Sequence, residues 1–121
     1  MTKKIAIVAL LTLFVLGMTA FAADTNFGVG KTRTVSFSEP TKVGTSVLPK
    51  GEYKVLHLME GNEHIMVFKS TYTNKEVAKV KCNMQKLDKK STVTMNEIST
   101  VNNDRVLTGI VFAGDDYRHA F

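Results

Sequence analysis

From Thr32 onward, apolar and polar residues alternate with a period of two along most of the chain, the pattern of strands that bury one face. It is cleanest over residues 76–85, where Ala78, Val80, Cys82 and Met84 fall on one side and Val77, Lys79, Lys81, Asn83 and Gln85 on the other. The spacing predicts further strands at 32–37, 41–43, from Glu52 into the late 50s, at 63–69, more weakly at 91–100, then at 105–113 and 116–121. Corners separate them. Pro49 and Gly51 suit the second and fourth positions of a β-turn, Gly61-Asn62 is a two-residue hairpin loop, Asn102-Asn103-Asp104 turns the chain, and Gly114-Asp115 closes a last hairpin that sets Ile110 opposite His119. Leu107 and Ile110 differ in parity, and Gly109 between them predicts a bulge. Short strands at this spacing predict an all-β fold: an antiparallel β-sandwich or small barrel of seven or eight strands, with no helix after residue 22.

The hairpin around Gly61-Asn62 is apolar on both faces. A two-residue loop sets His57 opposite Met66 and His64 opposite Met59, whereas a four-residue loop sets His57 opposite His64. Both loops have even length, so Tyr53, Val55, His57, His64, Met66 and Phe68 share one face in either register. Leu56, Leu58, Ile65 and Val67 occupy the other. Such a hairpin is either central and covered on both sides or meets a second subunit.

Phe37-x-x-Pro40-x-x-Val43-Gly44 followed by Leu48-Pro49-x-Gly51-x-Tyr53-x-Val55 resembles the signature of a group of small exported bacterial β-proteins with an L-P-A-G-x-Y turn and strand. Lys50 stands here where that group usually has Ala. The resemblance spans about a fifth of the chain after the leader and implies a compact β-sandwich or barrel. It supplies no activity and no catalytic residue to carry over.

The first 22 residues follow a different pattern. Lys3 and Lys4 precede a stretch, residues 5–18, that is apolar apart from Thr12 and Gly17, and Ala20 and Ala22 form an A-x-A site. This predicts a helical signal peptide cleaved after Ala22. The apolar run is shorter than the ~20 residues a spanning helix needs. With no cysteine near the site there is no lipobox, so the expected location is periplasmic or secreted. Residues 23–31, with Gly28 and Gly30, read as a flexible N-terminal arm, and residues 32–121 as a single β domain.

Composition narrows the partners. Sixteen Lys and Arg face 11 Asp and Glu, a formal charge of +5; without Lys3 and Lys4 the balance is 14 against 11, or +3. That is mild, and nucleic acid is not an expected partner. Lys75, Lys79, Lys81, Lys86, Lys89 and Lys90 make a basic stripe that either guards a sheet edge or meets an anionic envelope surface. Self-association through the apolar sheet face or the arm is a further expectation. Cys82 is the only cysteine, so no intrachain disulfide forms, and its place in the alternation reads as a small buried hydrophobe.

The chain has no nucleophile elbow, H-E-x-x-H, C-x-x-C, phosphate-binding glycine loop or EF-hand spacing. The expected role is therefore a non-catalytic exported binding or assembly module, with a hydrolase accessory or inhibitor domain also open. The alternative of most definite chemistry is a periplasmic copper-type metal-binding protein. Imidazole and thioether donors on adjacent strands suit Cu(I), and His57, His64, Met59 and Met66 supply them.

Overall fold

The computed structural model describes residues 27–121; the expected signal peptide and the first residues of the arm lie outside that range. The described residues are all-β, with nine strands: β1 (Thr32–Phe37), β2 (Thr41–Val43), β3 (Ser46–Leu48), β4 (Gly51–Glu60), β5 (Glu63–Ser70), β6 (Glu76–Lys86), β7 (Met95–Val101), β8 (Asp104–Val111) and β9 (Tyr117–Ala120). They form one sheet in the order β1-β4-β5-β6-β9-β8-β2-β3, with β7 on the free side of β8, and the sheet is not closed by hydrogen bonds.

Two details depart from the sequence expectation of seven or eight antiparallel strands. Residues 46–48, which lead into the Pro49 corner, are a ninth strand paired with β2. The sheet is also mixed, because β2 lies parallel to β8 at Lys42 and Val106. Period-two patterning carries no trace of either. Residues 46–48 run directly into the Pro49 corner, which masks them as a strand, and the parallel pairing of Lys42 with Val106 leaves no local mark.

Elsewhere local chemistry explains the elements. The Leu48-Pro49-Lys50-Gly51 corner is pinned by the Tyr53 hydroxyl, which donates to the Pro49 carbonyl, and Gly51 has φ 145°, a conformation open to glycine. Gly61, at φ 60°, opens a two-residue hairpin loop, and the register is His57 opposite Met66, Met59 opposite His64 and Glu60 opposite Glu63. The β7–β8 turn uses Asn102 and Asn103 at φ 51° and 67°, the type I′ geometry that favours Asn-Gly. Asn103→Gly relieves the left-handed strain at this position and is expected to stabilise the domain by up to about 1 kcal/mol, measured as a higher urea midpoint at unchanged slope. The bulge falls where Gly109 predicts it: Glu97 faces Gly109 but Ile98 faces Leu107, leaving Thr108 unpaired. A Cβ at Gly109 would collide with the Arg118 guanidinium and the Glu97 carboxylate, which pair across it.

Strand β6 changes partners along its length. Its first part, through Cys82, pairs with β5; Asn83 to Lys86 pair with β9. The sheet thereby turns back on itself, and one core gathers Val35, Phe37, Val43, Leu48, Tyr53, Val55, Met66, Phe68, Ala78, Cys82, Leu107, Ile110 and Phe112. Side chains bridge the remaining gap: Asn96 Nδ2 donates to the Ser36 carbonyl, and Arg33 of β1 pairs with Asp115 while lying over the Phe112 ring at 4.4 Å. On the outer face of the β4–β5 hairpin, Ile65 and Val67 are buried and Leu56 and Leu58 half-buried.

The segment expected to be a flexible arm over residues 23–31 is held by specific bonds from Phe27 on. Phe27 to Gly30 form a turn in which the Gly30 N–H donates to the His57 carbonyl and the His57 N–H to the Lys31 carbonyl. Of the six lysines in the basic stripe, Lys79 pairs with Glu60, Lys81 with Glu63 and Lys86 with Asp116, so half of its charge is locally balanced.

Candidate metal centre

Alternation on adjacent strands brings the three histidines and the cysteine to one interior face. His57 lies on β4, His64 on β5 directly opposite Cys82 of β6, and His119 on β9 opposite Met84 of β6. Ligating atoms of His57, Cys82 and His119 all lie within 4.8 Å of one another, and all three residues are buried. The rings of His57 and His64 are 4.9 Å apart, and those of His57 and His119 5.0 Å.

Hydrogen bonding fixes the state of His57. Its Nδ1 is 3.1 Å from the Phe27 carbonyl, which can only accept, so Nδ1 carries the proton. Nε2 then presents a lone pair, and His64 Nδ1–H donates to it at 2.8 Å. An imidazole oriented by a backbone carbonyl behind it, with its other nitrogen left as an acceptor, is the arrangement metal-ligating histidines adopt.

His119 is different. It is 0% exposed, yet neither Nδ1 nor Nε2 has a hydrogen-bond partner. Aromatic rings surround it: Phe112 at 5.4 Å and Tyr117 at 5.7 Å, both edge-on. Burial of this kind ordinarily costs about 1–3 kcal/mol for each unsatisfied polar group, so the position is expensive unless something fills it.

Electrostatics keep the cluster uncharged. Burial, then His57, Arg33 and His64, hold His119 down to about 3. His57 is lowered by burial and then by His64, and His64 by burial. Burial pushes the Cys82 thiol up to about 11, so at neutral pH it is a protonated thiol among neutral imidazoles. No carboxylate belongs to the group, and the nearby Asp115 is already paired with Arg33.

The cluster is not sealed. A cavity of about 360 Å³, lined by Phe27, His64, Cys82 and Met84 among others, reaches Cys82. Phe27 stands over this side, its ring edge-on to His64 at 5.9 Å and to Tyr117 at 5.5 Å.

Of the four ligands expected from sequence, His57 and His64 are brought into direct contact. Met66, the cross-strand neighbour of His57, is packed in the apolar core, and Met59 is 41% exposed near the hairpin tip. His119 and Cys82 take the places next to His57 that the methionines were expected to fill. The signal for Cys82 was present in the sequence, since its alternation points it inward, but burial alone suggested a hydrophobe. His119 had no such signal, because its approach depends on β9 pairing with β6. Comparison with protein-family models, with curated proteins and with solved structures finds no match to this chain.

Proposed function

We propose that this chain is an exported, non-catalytic β domain, barrel-like or sandwich-like in its curled sheet, that holds a copper(I) ion through His57, Cys82 and His119. Residues 1–22 act as its signal peptide, which puts the domain in the periplasm or outside the cell. The observation that carries the reading is His119: a wholly buried imidazole with both nitrogens unpartnered, within 4.8 Å of the Cys82 sulfur and of a ring nitrogen of His57.

Charge selects among metals. Thiolate and imidazole suit Cu(I) and Zn(II) alike. One thiolate exactly neutralises a monovalent ion, whereas a divalent ion would leave a net charge in a buried, largely apolar setting that also feels the positive Arg33. Copper(I) is therefore favoured, and three donors suffice for it.

Binding must displace the Cys82 proton, because the thiol is protonated at neutral pH. The histidines stay neutral from about pH 6.5 upward, so one proton is released per ion and the apparent affinity rises about tenfold per pH unit over that range. Anaerobic titration with Cu(I) against a competing chelator checks this. The expected result is one ion per chain, that slope, and loss of binding in Cys82→Ser. Absence of binding by the unaltered chain, or equal binding by the Ser variant, overturns the reading.

A further inference from the structure

We infer that the cavity beside Cys82 is the port through which the ion enters and leaves, with Met84 and His64 as relay ligands and Phe27 as its cover. This rests on the proposed copper(I) site and adds a route to it. Two further residues with donor side chains, Met84 and His64, line the cavity together with Cys82. Met84 lies two positions beyond Cys82 on β6, and so on the same face, and it is the cross-strand partner of His119. His64 is the cross-strand partner of Cys82, with Nδ1 2.8 Å from His57 Nε2. Donor residues thus stand both on the cavity wall and beside the buried group. Thioether and imidazole without added charge are the ligands a cuprous ion exchanges between readily.

His64 has a second part in this route. In the metal-free protein its Nδ1–H occupies the lone pair of His57 that the ion needs. Loading therefore begins with release of that hydrogen bond, which frees both imidazoles at once. Phe27 is tied to this event twice: its carbonyl holds the far nitrogen of His57, and its ring lies edge-on against His64. The turn that carries it is bonded to β4 at His57 by Gly30 and Lys31. A cover attached to the ligand strand itself moves with the ligand.

The test is the rate of exchange. Wild type, Phe27→Ala and Met84→Leu are loaded anaerobically from a cuprous bicinchoninate complex and then stripped with excess bicinchoninate, both followed by stopped-flow absorbance. Phe27→Ala is expected to speed both loading and loss by about tenfold, and Met84→Leu to slow both by a similar factor, in each case by more than the equilibrium constant changes. Met84→Leu conserves volume in a half-buried position, so it keeps the fold even if Phe27→Ala loosens the turn. Copper bound at wild-type rates by both variants overturns the port and leaves the site standing. Failure of wild type to bind copper overturns site and port together.

Discussion

Replacing His119 with leucine is expected to make the metal-free protein more stable, by about 1–3 kcal/mol, while abolishing copper binding. The reasoning starts from the environment of the ring. Its two nitrogens are buried without partners, and its neighbours are Phe112, Tyr117 and His57. Leucine has a similar volume and no polar atom to desolvate, so the unfavourable burial disappears while the contacts remain. In a domain of this size each kcal/mol moves the midpoint of thermal unfolding by about 4–8 °C. Calorimetry of the metal-free proteins reads the gain, and the Cu(I) titration reads the loss. A histidine kept for packing would behave oppositely: its replacement would lower the midpoint, and that outcome would remove the argument for a ligand at this position.

The metal-free protein should also be sensitive to mild acid. An unfolded histidine takes up its proton near pH 6.5, whereas folded His119 does not do so until about 3, and His57 and His64 are shifted in the same direction. Between those limits the unfolded chain binds more protons than the folded one. Stability is thus complete above about pH 6.5 and falls as the pH drops, by about 1.4 kcal/mol per pH unit from His119 alone. Urea midpoints measured from pH 7.5 to about 5 stay above the range where most carboxylates titrate, so the slope belongs to the histidines. His119→Leu should flatten it. An unaltered slope in that variant would mean that another group carries the acid sensitivity.

Much of the scaffold was legible from alternation and corners. The even-length loop at Gly61-Asn62 put His57, His64 and Met66 on one face, and of the two registers it allowed the structure has the one that pairs His57 with Met66. The strict alternation of β6 oriented Cys82 and Met84, and the parity break near Gly109 located the bulge. These are local signals, each written within about ten residues. The site was legible only in half, for the opposite reason. His57 and His64 belong to one hairpin and could be matched by counting. Cys82 reaches them through pairing with the next strand, β5 with β6, and His119 through β6–β9, which joins segments more than 30 residues apart. Met59 and Met66 lie on the hairpin of the two histidines, whereas Cys82 stands on the next strand and His119 on the last.

The change of partner along β6 has a consequence for a chain with one cysteine. Cys82 is the last residue of that strand facing β5, while His119 hangs from β9 on the other side of the junction, and His57 belongs to β4. An ion shared by the three would fasten the two halves of the sheet at the point where backbone pairing passes from one to the other. It would also close a loop covering more than half of the described residues, the kind of long closure in which a metal clip removes the most freedom from the unfolded chain. A protein unable to form a disulfide would gain a reversible cross-link in its place, present or absent according to its cargo.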